Sequence, residues 1–179
     1  MLICPNCGSE TLTLHVDQCS DYGWSRVEED GIQNFLTDQE RSSAIANRYA
    51  KNYESLAVQN LKESNIDRRF LRNQSKNITK YVHSFEGRLV CDVGIGQGFL
   101  CDEVLRLGAK HVSAADVSHS YLKRFVGTNK VRPYLANAEN LPFKDHFDIL
   151  VSTDVMEHVL NVGSFLYCVN RALKLRGLS

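Results

Sequence analysis

A glycine-rich turn after an apolar run most constrains what this chain can fold into. Residues 89–93 read Leu-Val-Cys-Asp-Val, and Gly94, Gly96 and Gly98 follow them. The apolar run predicts a buried strand, and the glycines let the backbone approach a ligand where a side chain would block it. A helix predicted from Phe99 would direct its free N–H groups and its positive dipole end at that ligand. The segment therefore predicts a nucleotide-binding strand–helix unit.

Two acidic residues strengthen this interpretation. Asp92 lies just before the glycines, and Asp116 ends the next predicted strand. An acidic residue about 20 positions beyond such glycines accepts hydrogen bonds from ribose hydroxyls in nucleotide-binding βαβ units. The alternative is that Asp116 only caps the helix that starts near Ser118, and both roles can coexist.

Four segments in order resemble the class I S-adenosylmethionine-dependent methyltransferases, most of all the small-molecule group with ubiquinone- and sterol-type enzymes. The segments are residues 91–98, 115–118, 137–143 and 147–159. A nicotinamide dehydrogenase would more often carry a third glycine at position 99, which is Phe here. The resemblance covers roughly residues 86–179 and implies an α/β fold with a Rossmann-like, doubly wound, mainly parallel sheet.

The resemblance also implies an S-adenosylmethionine site. At the position of Asn137 the family usually has an acidic residue that accepts from the adenine amino group. Asn137 can still accept through its carbonyl oxygen, or it is a plain turn residue. The cofactor-binding residues that the resemblance implies are Asp92, Gly94, Gly96, Gly98, Asp116, Val117, Asn137, Ala138 and Thr153.

The Glu157–His158 pair follows the fourth predicted strand, where cofactor and acceptor would meet. The resemblance implies methyl transfer to an O, N or C atom of a small-molecule acceptor. His158 or Glu157 is a candidate general base, needed only if the acceptor must lose a proton. The alternative is that the pair holds the loop and helix in place. The catalytic residue is left open.

The same resemblance implies an incomplete sheet. The family's sheet has seven strands in the order 3-2-1-4-5-7-6, and this sequence holds only the first four, ordered 3-2-1-4. Pro133 lies in the third strand and fits an edge position. The fourth strand would then have an exposed apolar edge. We expect a C-terminally truncated domain, which is either a fragment, a prematurely ended product, or a protein whose edge a partner or a second copy covers.

Three cysteines near the N-terminus predict half of a zinc site or more. Cys4 and Cys7 form a Cys-x-x-Cys pair before a glycine, and Cys19 is a third candidate ligand. A fourth ligand could be His15, Asp17 or Asp21. The alternatives are a metal-free hairpin or a redox dithiol. Trp24 is expected to pack this small segment onto its neighbour.

A helical segment is predicted between the cysteines and the first Rossmann strand. Residues 28–36 are interpreted as a turn or linker, and Thr37 with Glu40 forms a capping box that begins a helix to about residue 61. A second helix is predicted over 66–83. Tyr49 and Tyr53 are candidate lid residues by resemblance. We therefore expect three parts: a knuckle over 1–30, a helical cap over 31–85 and a cofactor domain over 86–179.

Composition narrows the classes of partner. The 21 basic and 21 acidic residues give no net charge, which weighs against a broad nucleic-acid surface. No apolar run reaches the ~20 residues of a membrane span, and no secretory signal is seen. We therefore expect a cytoplasmic protein. Two other functions stay open: a non-catalytic S-adenosylmethionine-binding regulator, and an rRNA methyltransferase that grips RNA with its knuckle.

Overall fold

The computed structural model describes residues 1–13, 16–62 and 68–175, which form one mixed α/β arrangement around a single sheet. The strands are β1 (Val27–Glu29), β2 (Ile32–Asn34), β3 (Leu89–Val93), β4 (His111–Asp116), β5 (Val131–Leu135) and β6 (Ile149–Ser152). The helices are α1 (Asp38–Ser42), α2 (Ala44–Lys62), α3 (Arg68–Thr79), α4 (Phe99–Arg106), α5 (His119–Lys123) and α6 (Val162–Ala172).

The parallel centre of the sheet confirms the predicted fold class and strand order. The six strands lie in the order β1-β2-β5-β4-β3-β6, so the four predicted strands take the order 3-2-1-4. Val93 of β3 is in register with Ala115 of β4 and Ser152 of β6. The carboxyl ends of the three strands therefore meet at one edge, where ligands bind in open α/β sheets.

The sheet also has two strands that the sequence interpretation did not predict. The interpretation of residues 28–36 as a turn or linker holds for the turn at Asp30-Gly31, but the residues on either side of it form the hairpin strands β1 and β2. The turn residues Asp30 and Gly31 both have positive φ, 52° and 78°, as a two-residue type I′ turn requires. The hairpin extends the sheet because β2 pairs with β5.

This pairing makes the predicted edge position of the third strand wrong. β5 lies between β4 and β2, and the edge is formed by β1. Pro133 is tolerated because the pairs with β2 begin one residue later, at Tyr134. The ladder to β2 therefore needs no donor from the proline, which lacks a backbone N–H.

The predicted helices are present with shifted boundaries. The capping box of Thr37 and Glu40 is confirmed and begins α1. Ser43 has extended backbone, with φ −61° and ψ 125°, so the single helix predicted from residue 37 is two helices, α1 and α2. The second predicted helix is α3, which ends at Thr79 rather than near residue 83. None of the helices in the described part of the chain is long and apolar enough to cross a membrane.

The N-terminal segment packs against the parallel sheet. Leu2 forms a β-bridge with Phe143, and the Ile3 N–H donates to the Pro142 carbonyl at 3.0 Å. Trp24 is buried and stacks on Phe35 with ring centroids 5.7 Å apart, which confirms its predicted packing role. The boundaries at residues 30 and 85 stay a prediction.

The outer side of β6 shows little pairing. Among the described residues, the only strand-like pairing on this side is the bridge between Phe147 and Leu173, just before the strand begins. Coverage of this edge by a partner or a second copy stays a prediction.

Candidate cofactor-binding site

A cavity of about 350 Å³ opens at the carboxyl ends of the parallel strands. One side, the sheet wall, consists of residues 92–98, 115–117, 136–139 and 153–155. The other side, the helical wall, consists of Tyr53 and Asn60 of α2 with Leu71, Gln74 and Ser75 of α3. All nine residues that the sequence assigned to a cofactor line this cavity. Its volume lies in the range of small-molecule sites.

Glycine is needed at the three positions of the turn for two different reasons. A Cβ on Gly94 would lie 2.2 Å from Val155 Cγ2, and one on Gly98 would lie 2.3 Å from Phe125 Cζ. A Cβ on Gly96 would meet only the Gly94 carbonyl oxygen, at 3.9 Å. All three glycines have positive φ, which side chains rarely adopt. Gly94 and Gly98 thus permit close packing, whereas Gly96 leaves open space beside the turn.

Asp116 ties the turn to the end of β4. Its Oδ2 accepts from the Gly96 N–H at 3.1 Å, and its Oδ1 accepts from the Ser118 N–H at 2.8 Å. Burial raises the pKa of the Asp116 carboxyl to about 6, against the effect of these hydrogen bonds. Asp116 therefore does cap the turn before α5, and it also faces the cavity.

Asp92 carries the most unusual polar atom of the site. Its side chain is buried, and its Oδ2 is the one buried side-chain N or O atom without a hydrogen-bond partner among the described residues. Burial, and then the charge of Asp116, raises the pKa of the Asp92 carboxyl to about 7. A buried acceptor without a donor is costly, so native proteins rarely keep one without a function. A positive charge on a ligand bound beside this carboxyl would stabilise its ionised form.

The Asn137 side chain is already engaged on both ends. Its Oδ1 accepts from the Glu139 N–H at 3.0 Å, and its Nδ2 donates to Glu40 Oε1 at 2.9 Å. The oxygen keeps a second lone pair that can accept from a ligand. The contact with Glu40 spans 97 residues and gave no local signal in the sequence.

The two candidate bases are placed differently. His158 lines the cavity, and its ring meets the edge of the Tyr53 ring with centroids 5.6 Å apart. Glu157 is exposed and lies outside the cavity wall. Nearby, Asp154 has φ of 55°, and its Oδ2 accepts from Gln74 Nε2 at 3.3 Å. The structure thus places His158, but not Glu157, within reach of a cavity ligand.

The helical wall is attached to the sheet by side-chain contacts. The Glu54 carboxylate accepts from Ser118 Oγ at 2.8 Å and from the Ser120 N–H at 3.2 Å. Asn60 Nδ2 donates to Tyr121 Oη at 2.8 Å. Sequence reasoning found Tyr53 but missed Asn60 and Gln74, since exposed-looking helix residues carry no motif. The side chain of Tyr49, the other predicted lid residue, lies outside the described residues.

The predicted metal residues form a separate cluster. The sulfur atoms of Cys4, Cys7 and Cys19 all lie within 4.8 Å of one another. Asp17 pairs with Arg26 instead, and Asp21 accepts from Ser9 Oγ at 2.5 Å. Neither carboxylate joins the cluster found among the described residues. His15 lies outside those residues.

The part of the chain that forms the sheet wall is similar to known proteins. Residues 91–179 match the family described as "Methyltransferase domain". The ubiquinone biosynthesis O-methyltransferase of Bradyrhizobium sp. (strain ORS 278) is 32% identical over 115 residues, which is 62% of this chain and 44% of that protein. The chain thus matches less than half the length of this curated relative.

Solved structures give the same result. An S-adenosylmethionine-dependent methyltransferase from Mesorhizobium loti is 25% identical with a TM-score of 0.50, covering 55% of this chain and 48% of the other. Phosphoethanolamine N-methyltransferase 1 of Haemonchus contortus shares the fold, with a TM-score of 0.58 and 16% identity, over 78% of this chain and 32% of that one. With the motifs, the strand order and the family match, residues 91–179 of the chain belong to the class I S-adenosylmethionine-dependent methyltransferases.

Proposed function

We propose that this chain binds S-adenosylmethionine in the cavity and transfers its methyl group to an O, N or C atom of a small-molecule acceptor. The observation that carries the proposal is the Oδ2 atom of Asp92, which is buried and has no hydrogen-bond partner among the described residues. Asp92 belongs to the wall of a cavity that all nine expected cofactor residues line. The relative from Bradyrhizobium is named an O-methyltransferase, which favours oxygen as the accepting atom.

The sheet wall supplies the groups that this cofactor needs. We assign the ribose hydroxyls to Asp116 and the adenine to Asn137 and the Ala138 N–H. The turn at Gly96 leaves the space that the cofactor requires. The Asp92 carboxylate then lies near the positively charged part of the ligand, and the attraction between the two charges makes binding more favourable. The bound cofactor supplies a methyl group made electrophilic by its sulfonium.

The charges of the cavity restrict the acceptor. Four carboxylates line it, and no Lys or Arg is found among the described lining residues. The carboxylates belong to Asp92, Asp116, Glu139 and Asp154. Such a site attracts the cationic cofactor and repels an acceptor that carries phosphate or carboxylate at the reacting end. We therefore infer an acceptor that is uncharged where it enters the cavity.

His158 is our candidate for the base that removes a proton from a hydroxyl acceptor. It lines the cavity, and the edge contact with Tyr53 restrains its ring. Holding acceptor and methyl group in line provides much of the rate, and the base adds to it. His158→Gln should lower kcat about 100-fold or more with little change in cofactor affinity. Equal kcat in the variant would remove His158 from this role.

Calorimetric titration with S-adenosylmethionine and S-adenosylhomocysteine tests the first half of the proposal. Asp116→Ala removes a charged acceptor, so we expect the affinity to fall about 100-fold. Asp102→Ala, which removes an exposed carboxylate on α4, is the matched control and should bind normally. A folded wild-type chain that binds neither ligand would contradict the proposal.

A second candidate function is cofactor binding without turnover. It is favoured by the cavity itself, because all nine residues expected to hold the cofactor line it, whereas the catalytic residue was left open by the sequence. Tight binding of S-adenosylmethionine, with no product in a screen of phenolic and amine acceptors, would support this candidate. Transfer to any acceptor would exclude it.

A further inference from the structure

The N-terminal segment contains the same turn twice. The first knuckle, residues 4–9, and the second knuckle, residues 19–24, each run from a cysteine through a glycine at the fifth position. Gly8 and Gly23 have nearly equal φ values, 74° and 77°. Each knuckle closes with two backbone hydrogen bonds of 2.8 Å. The bonds are Gly8 N to Cys4 O and Cys4 N to Ser9 O in the first, and Gly23 N to Cys19 O and Cys19 N to Trp24 O in the second.

Because the turn is repeated, each cysteine of the first knuckle has an equivalent position in the second. Cys4 corresponds to Cys19, and Cys7 corresponds to Tyr22. The sequence alone showed only that a second Cys-x-x-Cys was missing. The structure shows that the second turn is nevertheless formed. Across the two turns, three of the four equivalent positions carry a thiol, and the fourth carries the exposed phenol of Tyr22.

The sulfur positions fit a tetrahedral metal. Cys7 Sγ and Cys19 Sγ are 3.6 Å apart, and all three sulfurs lie within 4.8 Å of one another. A tetrahedral zinc ion with Zn–S bonds of about 2.3 Å sets its sulfurs roughly 3.8 Å apart. A disulfide would need about 2.05 Å. The spacing therefore matches thiolates around a common ion, and all three cysteines are free.

We propose that the two knuckles bind one Zn²⁺ through the thiolates of Cys4, Cys7 and Cys19, with water in the fourth position, which Tyr22 leaves unfilled. Three thiols each lose a proton to solvent as three Zn–S bonds form. The neighbouring carboxylates of Asp17 and Asp21 do not join the cluster, and each has its own partner. A fourth position held by water can be exchanged for an external donor.

The first knuckle contacts a chain segment that borders the cofactor site. Asn140 Nδ2 donates to the Pro5 carbonyl of the first knuckle at 3.0 Å. Asn140 ends the short 3-10 turn Ala138–Asn140, whose first two residues line the cavity. A metal-bound first knuckle would therefore support the chain segment that forms one edge of the sheet wall.

Metal content and cobalt spectra of the full chain test the three thiolate ligands. We expect about one zinc per chain, and after exchange the visible and thiolate charge-transfer bands of tetrahedral Co²⁺. Cys7→Ser should lose these bands, whereas Cys168→Ala, which removes a buried cysteine of α6, should keep them. A folded chain with no zinc, no cobalt bands and all three knuckle thiols freely reactive would overturn the site. These readouts do not involve the methyl donor, so they are independent of the proposed activity.

Two further variants test the fourth position. Tyr22→Cys should raise the charge-transfer intensity by about one third, from three thiolates to four, and should tighten Co²⁺ binding at least about tenfold. His15→Ala should change neither quantity. Unchanged charge-transfer intensity in Tyr22→Cys, or weaker metal binding in His15→Ala, would overturn the proposal that water fills the fourth position.

Discussion

The two walls of the cavity are held in place by different forces. The sheet wall is fixed by strand pairing and by backbone donors, such as the Gly94 N–H that donates to the Ala115 carbonyl at 2.8 Å. The helical wall is attached by side-chain hydrogen bonds, among them those of Glu54 and Gln74, and by apolar packing of Ala57 and Ile78 in a core cluster. The first wall is therefore held mainly by main-chain hydrogen bonds, whereas the second depends on side-chain hydrogen bonds and apolar packing.

The carboxylates of the two walls also respond to pH in opposite ways. In the sheet wall, burial raises the pKa of Asp92 to about 7 and that of Asp116 to about 6. At Glu54, burial opposes ionisation, but hydrogen bonds from Ser120 and Ser118 outweigh it and lower the pKa of the carboxyl. Ionisation of Asp92 and Asp116 in the sheet wall therefore lowers the stability of the folded chain, whereas ionised Glu54 strengthens the attachment of the helical wall.

The strongest test of this contrast is Asp92→Asn. The amide keeps the shape but cannot offer a negative charge to the cofactor, so we expect affinity for S-adenosylmethionine to fall about 100-fold or more. The same change should stabilise the ligand-free chain at pH 8 by about 2 kcal/mol, because no buried charge is then required. Calorimetry and thermal unfolding measure the two effects, with Asp102→Asn as the exposed control.

The pH profile follows from the same carboxylates. The folded-state pKa values of Asp92 and Asp116 lie above the unfolded value of 3.8, so the folded chain binds more protons between about pH 4 and 7. Their contribution to stability is full below this window and is lost as pH rises through it. Thermal unfolding of Asp92→Asn should show a flatter profile there. An identical profile for the two proteins would contradict the assignment.

A smaller effect is expected from Glu54→Ala in the helical wall. The change removes the acceptor for the Ser118 hydroxyl and the Ser120 N–H, so α2 should detach more easily from α5. We expect a loss of stability of about 1–2 kcal/mol and a cofactor affinity about 3–10-fold weaker. Asn52→Ala, an exposed change on the same helix, is the control for denaturant unfolding and titration.

The smallest effect is expected from Gln74→Ala. Its contact with Asp154 is exposed and 3.3 Å long, so its loss should cost less than about 1 kcal/mol. Steady-state kinetics should show a change in KM of about 2–5-fold, and Asn73→Ala, also exposed on α3, should show none. A loss as large as that of Asp92→Asn would mean that the two walls do not differ as described.

The sheet wall could be predicted from sequence because its signals are local. The spacing of Gly94, Gly96 and Gly98, and the acid about 20 residues later, specify a turn and a strand end within one βαβ unit. The helical wall could not be predicted in this way, since Glu54 and Ser118 are 64 residues apart and Gln74 and Asp154 are 80 apart. No periodicity connects residues that meet only in the folded state.

The β1–β2 hairpin was missed although a signal was present. Asp30-Gly31 is a strong two-residue hairpin turn, but the segment was interpreted only as a turn or linker, without strands on either side. The cysteine knuckle shows the reverse case. The sequence singled out Cys4, Cys7 and Cys19, but only the hydrogen-bond pattern shows that two equivalent turns hold them.

The hydrogen bond between Glu40 and Asn137 has a consequence for the synthesis of this protein. Ninety-seven residues separate the two partners, and ribosomes add about 5–20 residues each second. The hairpin strands β1 and β2, and Glu40, therefore leave the ribosome about 5–20 s before the edge of β5 that they cover. During that interval β2 exposes Ile32, which is almost completely buried in the finished sheet. Translation speed between the codons of Glu40 and Asn137 should thus influence how much of the chain folds and how much aggregates.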